Sequence, residues 1–489
     1  MRGFGLLIVF ALAVAAVLAT SGVVAPAPAV WSQEPALAVH NGRLFDGTGA
    51  PLIEDGVIVI EGNRIVAVGS AAEVEIPPGA ETIDAAGGLI MPGVIDNHVH
   101  VTGPLGLQQQ DILTPWLRAG VTTLVDTGTV RDGVVIGDFT IADGVALLRN
   151  LVDAVAEEPP RVLVAGPLLT APGGYPATRP EPDSALGAQD VTSPEDGEAR
   201  VARLLDEQNA DLIKVAIEAG FDADYDDPGW PVLPPETLAA IADATHQRGK
   251  TVRAHVTHVE EFRAALEAGF DATAHTPIVA LPDELLQEAA DAGMILVSTA
   301  NIWGGGGSLA AVQSNLSLYA ELGGRVALGT DFPFQSGSEM PVMEMQLLVA
   351  GGLTPTEVLI AATKHGAEAV GRGDDLGTLE PGKLADIIVV DGDPLSDIAE
   401  MANVSIVIRD GEVIVGEVIQ PPPTAAPSPT TVPSPSLTPP PTATSAPSLP
   451  HTGRGPADEE QPVRPTVVAV LVATGALLAG GWLLMARRR

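Results

Sequence analysis

The sequence predicts an α/β protein: a (β/α)8 TIM-like barrel over residues 92–374, with a small β-sandwich built from both flanking segments, 36–91 and 375–418. Two observations carry that prediction. Short apolar runs alternate with helix-like patterns eight times through the middle of the chain, the rhythm of parallel strands covered by helices. On either side of that rhythm lie β-branched runs separated by turn residues.

The first flank holds apolar runs at 37–40, 56–60 and 65–68, the last two joined through Gly62-Asn63, which is a hairpin pattern. Candidate barrel strands follow at 94–100, 122–126, 161–165, 212–216, 252–256, 272–275, 295–299 and 326–330. Among the helices between them, Val259, Phe262 and Leu266 form an apolar stripe closed by Gly269. Thr354-Pro355-Thr356-Glu357 reads as a capping box with Pro at the first helical position. The second flank repeats the strand pattern at 386–390, 404–408 and 413–415, the last pair around Asp410-Gly411, so the two ends are expected to pair.

Composition narrows the chemistry. The chain of 489 residues has no Cys, so disulfides, thiolate metal sites and a Cys nucleophile are excluded. Its formal net charge is −37, from 62 acidic and 25 basic residues, which argues against nucleic acid as a partner.

The termini have their own signatures. Residues 1–29 read as a signal peptide: Arg2, an apolar run over 4–19, then small residues ending in Ala27-Pro28-Ala29. Residues 420–448 read as a Pro/Thr/Ser-rich stalk, and 420–450 contain 12 Pro and no charged residue. Leu449, Pro450, His451, Thr452 and Gly453 come next, then an apolar segment over 467–485 and a basic tail, Arg487-Arg488-Arg489. Together, residues 449–489 resemble the Leu-Pro-x-Thr-Gly sorting signal of Gram-positive-type surface proteins. That resemblance implies sortase and peptidoglycan as partners, membrane contact through 467–485, and an extracellular, cell-wall- or membrane-anchored location. A plain C-terminal membrane anchor is the alternative.

The polar residues of the barrel carry the functional signal. Asp96-Asn97-His98-Val99-His100 ends the first strand, and residues two apart on a strand share a face, so His98 and His100 point together. Two inward imidazoles at the C-terminal mouth of a barrel suit a metal. Lys214 lies late in the fourth strand; His255 ends the fifth, His275 the sixth and Asp331 the eighth. A cationic Lys in an apolar strand is costly unless it has a task.

With these residues in place, the chain resembles the amidohydrolase superfamily, in its binuclear, carboxylated-lysine, prolidase- and imidazolonepropionase-like subgroup. The His-x-His, Lys, His, His, Asp order carries the resemblance, with Ala274-His275, Gly329-Thr330-Asp331 and the run over 377–386; it covers most of 36–418. It implies that His98, His100 and Asp331 hold one metal and that His255 and His275 hold a second. Lys214, carboxylated by CO2, would bridge two divalent ions, with zinc the expected metal. A metal-bound hydroxide would attack the substrate carbonyl, and Asp331, the catalytic residue, would pass a proton to the leaving nitrogen. Tyr175, after Gly173-Gly174, stands where prolidase-like relatives often carry His; Tyr175 and His258 are the candidates for substrate contact.

The function so implied is cleavage of a C–N bond, in an amide, peptide or cyclic amide, within a small-molecule or peptide substrate at the cell surface. Two alternatives stand beside it: a mononuclear deaminase or imidazolone-type hydrolase, and a non-catalytic surface-binding protein on the same barrel. The sequence leaves the oligomeric state open, a homo-oligomer included.

Overall fold

The computed structural model describes residues 36–101, 113–136, 139–155, 158–176, 187–221, 229–304, 306–334, 337 and 339–420. The signal peptide, the sorting motif, the apolar segment 467–485 and all of the stalk but Gln420 lie outside the described residues. Among the described residues, no helix is long and apolar enough to cross a membrane.

Five strands open the fold: β1 (Leu37–Leu44), β2 (Ile53–Glu61), β3 (Arg64–Ser70), β4 (Glu81–Asp84) and β5 (Leu89–Pro92). Next come β6 (Val94–Val99), β7 (Val121–Asp126) and a short hairpin, β8 (Val135–Ile136) with β9 (Phe139–Thr140). They are followed by β10 (Arg161–Val164), β11 (Leu168–Thr170), β12 (Ala188–Asp190), β13 (Ile213–Ala216), β14 (Val252–His255), β15 (Ala272–Thr273), β16 (Ile295–Val297) and β17 (Arg325–Ala327). β18 (Ile387–Val390), β19 (Val404–Arg409) and β20 (Glu412–Val415) close the described chain.

The two flanks share one mixed sheet of eight strands, in the order β20-β19-β18-β5-β1-β2-β3 with β4 beside β1. The seam is β5 against β18, antiparallel, with Met91 opposite Ile388. These strands are hydrogen-bonded as a single sheet rather than as the two sheets of a sandwich, and their apolar faces (Leu44, Ile58, Ile60, Ile90, Ile387, Ile408) bury a core of their own. The turn between β19 and β20 puts Asp410 at φ +51° and Gly411 at φ +79°, the paired left-handed conformation that favours Asp-Gly in a tight hairpin.

The middle of the chain folds as parallel strands with helices between them. One sheet has the order β10-β7-β6, the other β12-β11-β13-β14-β15-β16-β17. Every residue of β6, β7, β13 and β14 is buried, the pattern of strands covered on both faces. Backbone hydrogen bonds also connect the two sheets. Asn97 N donates to Leu328 O at 2.9 Å and Asp331 N to His98 O at 2.7 Å. On the other side, Asp211 N donates to Val164 O at 2.7 Å. β11 and β12 are strands that the apolar rhythm did not single out.

The helix signals match the residues that make them. Helix Pro355–Ala361 starts with Thr354 Oγ1 accepting from Glu357 N at 3.2 Å, while the Glu357 carboxylate accepts from Thr354 N at 2.7 Å. Helix Val259–Glu267 buries Phe262, and the chain leaves it through Gly269 at φ +78°.

Arg161 of β10 fixes the parallel strands to the mixed sheet. Its guanidinium meets Asp386 at 2.5 Å and Asp410 at 2.5 Å in a largely buried triad.

Candidate metal centre

The parallel strands run in one direction, so their C-terminal ends gather on one face. His98 lies in β6, His100 just past it, Lys214 in β13 and His255 at the end of β14; His275 follows β15 by two residues and Asp331 follows β17 by four. The fold brings all six together. Asp331 Oδ1 is 3.3 Å from His98 Nε2 and 3.1 Å from His100 Nε2. Lys214 Nζ is 3.0 Å from His98 Nε2 and donates to Thr127 Oγ1 at 3.3 Å. Ring centroids of His98 and His275 are 4.4 Å apart, and those of His275 and His255 are 4.6 Å apart. All are buried except His100, which is partly exposed.

The donor set fits a cation. His98 Nδ1 lies 2.6 Å from the carbonyl oxygen of Ala274, which only an Nδ1–H can satisfy. Its Nε2 therefore carries a lone pair, which faces Lys214 Nζ at 3.0 Å and Asp331 Oδ1 at 3.3 Å. Burial, with the nearby charge of Lys214, holds the His98 imidazole well below its usual pKa, so it does not gain a proton of its own there. Burial pushes the Asp331 carboxyl up, but the neighbouring His100 and His275 imidazoles and the Lys214 amine outweigh it and keep the group ionised. A neutral imidazole lone pair and a carboxylate aimed at one another are stabilised by a metal ion between them.

A family model described as the amidohydrolase family matches residues 89–414. The chain belongs to this family. Ochratoxinase from Aspergillus niger is 26% identical over 432 residues, covering 78% of this chain and 87% of that protein. Imidazolonepropionase from Brevibacillus brevis is 26% identical over 400 residues, covering 75% and 91%. Among solved structures, a Xaa-Pro dipeptidase with bound methionine superposes with a TM-score of 0.65 at 23% identity, over 78% of this chain and 100% of that one. The A. niger ochratoxinase structure gives 0.64 at 21% identity, over 78% and 96%. These two likenesses concern the fold.

Within this amidohydrolase-family chain, the two substrate-contact candidates take different places. Tyr175 stacks on His255, with ring centroids 4.4 Å apart and planes 21° apart, and Trp230 and Phe221 pack on Tyr175 at 5.9 and 5.5 Å. His258 is buried at the start of helix Val259–Glu267, with Nδ1 2.8 Å from Thr257 Oγ1. Of the other histidines, His246 pairs with Asp271 at 2.9 Å, and His365 Nδ1 lies 3.0 Å from Val326 O.

Sequence reasoning missed a surrounding shell of polar groups. Glu218 Oε2 lies 3.4 Å from His255 Nε2 and accepts from Thr257 Oγ1 at 2.8 Å. Its carboxyl is pushed up to about 7 by burial. A signal for it existed, since Lys214, Ala216 and Glu218 share one face of the strand pattern. Thr299, the last residue of the candidate strand 295–299, was passed over, and Glu344 had no such signal. Asp96 joins β6 to the segment after β17, accepting from Thr330 Oγ1 at 2.7 Å and from His98 N at 3.1 Å.

Proposed function

We propose that this chain is a metal-dependent hydrolase of C–N bonds, working on an amide, peptide or cyclic amide at the mouth of a closed (β/α)8 barrel. The observation that carries the reading is the convergence of four imidazoles, Asp331 and Lys214 at one end of the parallel strands. His98, His100 and Asp331 would hold one divalent ion, His255 and His275 a second, and carboxylated Lys214 both; imidazole and carboxylate donors suit zinc.

Lys214 is suited to its part. Burial, helped by the charge of Arg253 and opposed by Asp331 and Asp126, brings its amine down to about 7. The neutral amine would add through its Nζ lone pair to the carbon of CO2, with one C=O π pair moving to oxygen and the Nζ proton passing to water, leaving an anionic ligand in place of a buried cation. When bound, the metals supply an activated water and polarise the scissile carbonyl. The Asp331 carboxylate would take a proton from the attacking water and deliver it to the leaving nitrogen. Tyr175 and Phe221 beside His255, Trp230 packed on both, and Phe334 facing His100 at 6.2 Å favour a substrate that carries an apolar or aromatic group next to the scissile bond.

The test is hydrolysis of a panel of N-acyl amino acids, dipeptides and cyclic amides by the zinc-loaded chain, with and without chelator. Chelator-sensitive turnover of the aromatic members supports the reading, and turnover that survives full metal removal contradicts it. A second reading is a single-metal deaminase-type centre on His98, His100 and Asp331, whose ligand atoms all lie within 4.8 Å of one another, as do those of Glu218, His258 and Glu261. For location, the signal-like residues 1–29 and the sorting-like residues 449–489 support an enzyme displayed outside the cell and anchored at its surface.

A further inference from the structure

His275 lies beyond the last residue of β15, so no strand pleat sets the direction of its ring. Something else must. Its Nδ1 is 2.9 Å from Thr299 Oγ1, with both residues buried. Thr299 itself has φ +43°, a left-handed conformation that is strained for a β-branched residue and persists only when its surroundings impose it.

The surroundings do impose it. Thr299 precedes the short helical turn Ala300–Trp303, where a Thr side chain ordinarily caps the free amides. Here the Thr299 hydroxyl makes no capping bond. Glu344, from the first turn of helix Val342–Ala350, does that work: Oε1 accepts from Ala300 N and Oε2 from Asn301 N, each at 2.8 Å. Glu344 is 1% exposed and also takes a hydrogen bond from Ser298. On the other side, Thr299 N donates to Gly329 O at 3.1 Å, two residues before Asp331. With the amides satisfied by a carboxylate from elsewhere, the Thr299 hydroxyl is released to His275.

We propose that Thr299 and Glu344 are positioning residues that orient His275 for the second metal, an inference that rests on the two-metal reading above. The Thr299 oxygen accepts from His275 Nδ1–H, which leaves the lone pair on Nε2 and aims that edge toward His98 and His255. Glu344 never touches the metal. It holds the backbone that holds the hydroxyl.

The test compares the full chain with Thr299→Val, Thr299→Ser and Glu344→Gln. Zinc dissociation constants for the first and second ions are measured by chelator competition, alongside melting of the metal-free proteins. Val keeps the branching but loses the hydroxyl; Ser keeps the hydroxyl. Thr299→Val is expected to weaken the second zinc about 10- to 100-fold and leave the first within about twofold. Thr299→Ser is expected to stay within about threefold of the parent for both ions, and Glu344→Gln to shift the second ion in the same direction as Val. Thr299→Val binding both ions as tightly as the parent overturns the inference while leaving the two-metal reading intact. Should Glu344→Gln fail to fold, the Val and Ser pair decides. A parent chain that binds fewer than two zinc ions overturns the two-metal reading, and this inference with it, before any variant is compared.

Discussion

Asp331 has the most to do of any single side chain: it faces two imidazoles and is the only carboxylate among the six converging residues. Replacing it with Asn keeps an oxygen donor and removes the carboxylate proposed to carry the proton. Asp331→Asn is expected to lower kcat by about 10²- to 10⁴-fold, measured at saturating substrate with metal content checked in the same sample. Tyr175 should act differently, because its ring packs on the His255 imidazole. Tyr175→Ala is expected to raise KM about tenfold for substrates with an aromatic group and to leave the others nearly unchanged, the split expected for the loss of a binding surface. Glu218 gives a pH signature. Burial raises its carboxyl from 4.5 to about 7, so the protonated form favours the folded state. Its contribution is fully present below about pH 4.5 and is lost as pH rises through 7. Relative to Glu218→Gln, the metal-free parent should therefore lose stability between about pH 4.5 and 7 and change little above that, as read from denaturation midpoints. A difference that grows the other way contradicts the buried-acid account.

The same residues show what was legible locally. His98 and His100 announce themselves because two imidazoles on one strand face are rare without a task, and Lys214 because an apolar strand rarely carries a cation. Glu344 could not be found in this way. It lies 44 residues from Ala300, and its role is visible only when the helix packs its carboxylate under that turn.

At the scale of elements, the alternation of apolar runs located all eight strands of the β/α rhythm, since each must bury both faces and so reads as a short apolar block. β11 and β12 escaped because β11 lies between Gly166-Pro167 and Pro172-Gly173, a loop-like setting, and β12 carries Gln189 and Asp190, which break an apolar run. The pairing of β5 with β18 depends on contacts nearly 300 residues apart; the β-branched composition foretold strands, while the hydrogen-bond path that makes one sheet of eight did not follow from it. The join between the sheets offers a stability test. Arg161 is enclosed by Asp386 and Asp410, and removing it leaves a mostly buried carboxylate unpaired. Arg161→Ala is expected to destabilise the chain by about 3 kcal/mol in urea denaturation. A change well under about 1 kcal/mol would show that water reaches the triad and that the join rests on apolar packing alone.

At the scale of the whole molecule, an acidic chain gathers imidazoles, a carboxylate and a lysine from strands spread over more than 200 residues at one end of a parallel array. The ends of the chain bear on where this chemistry takes place. If the sorting-like motif acts, Thr452→Ala should move the enzyme from the cell-wall fraction to the membrane fraction, measured by immunoblot of fractionated cells.

The most direct test of the central claim is metal content. The purified full chain and Lys214→Ala would be loaded with zinc in the presence of bicarbonate, and metal per chain read by elemental mass spectrometry. The account predicts about two ions per chain in the parent and one or fewer in the variant. One ion in both proteins would contradict the carbamate-bridged pair and favour the single-metal centre on His98, His100 and Asp331; no ion in the parent would contradict the hydrolase reading itself.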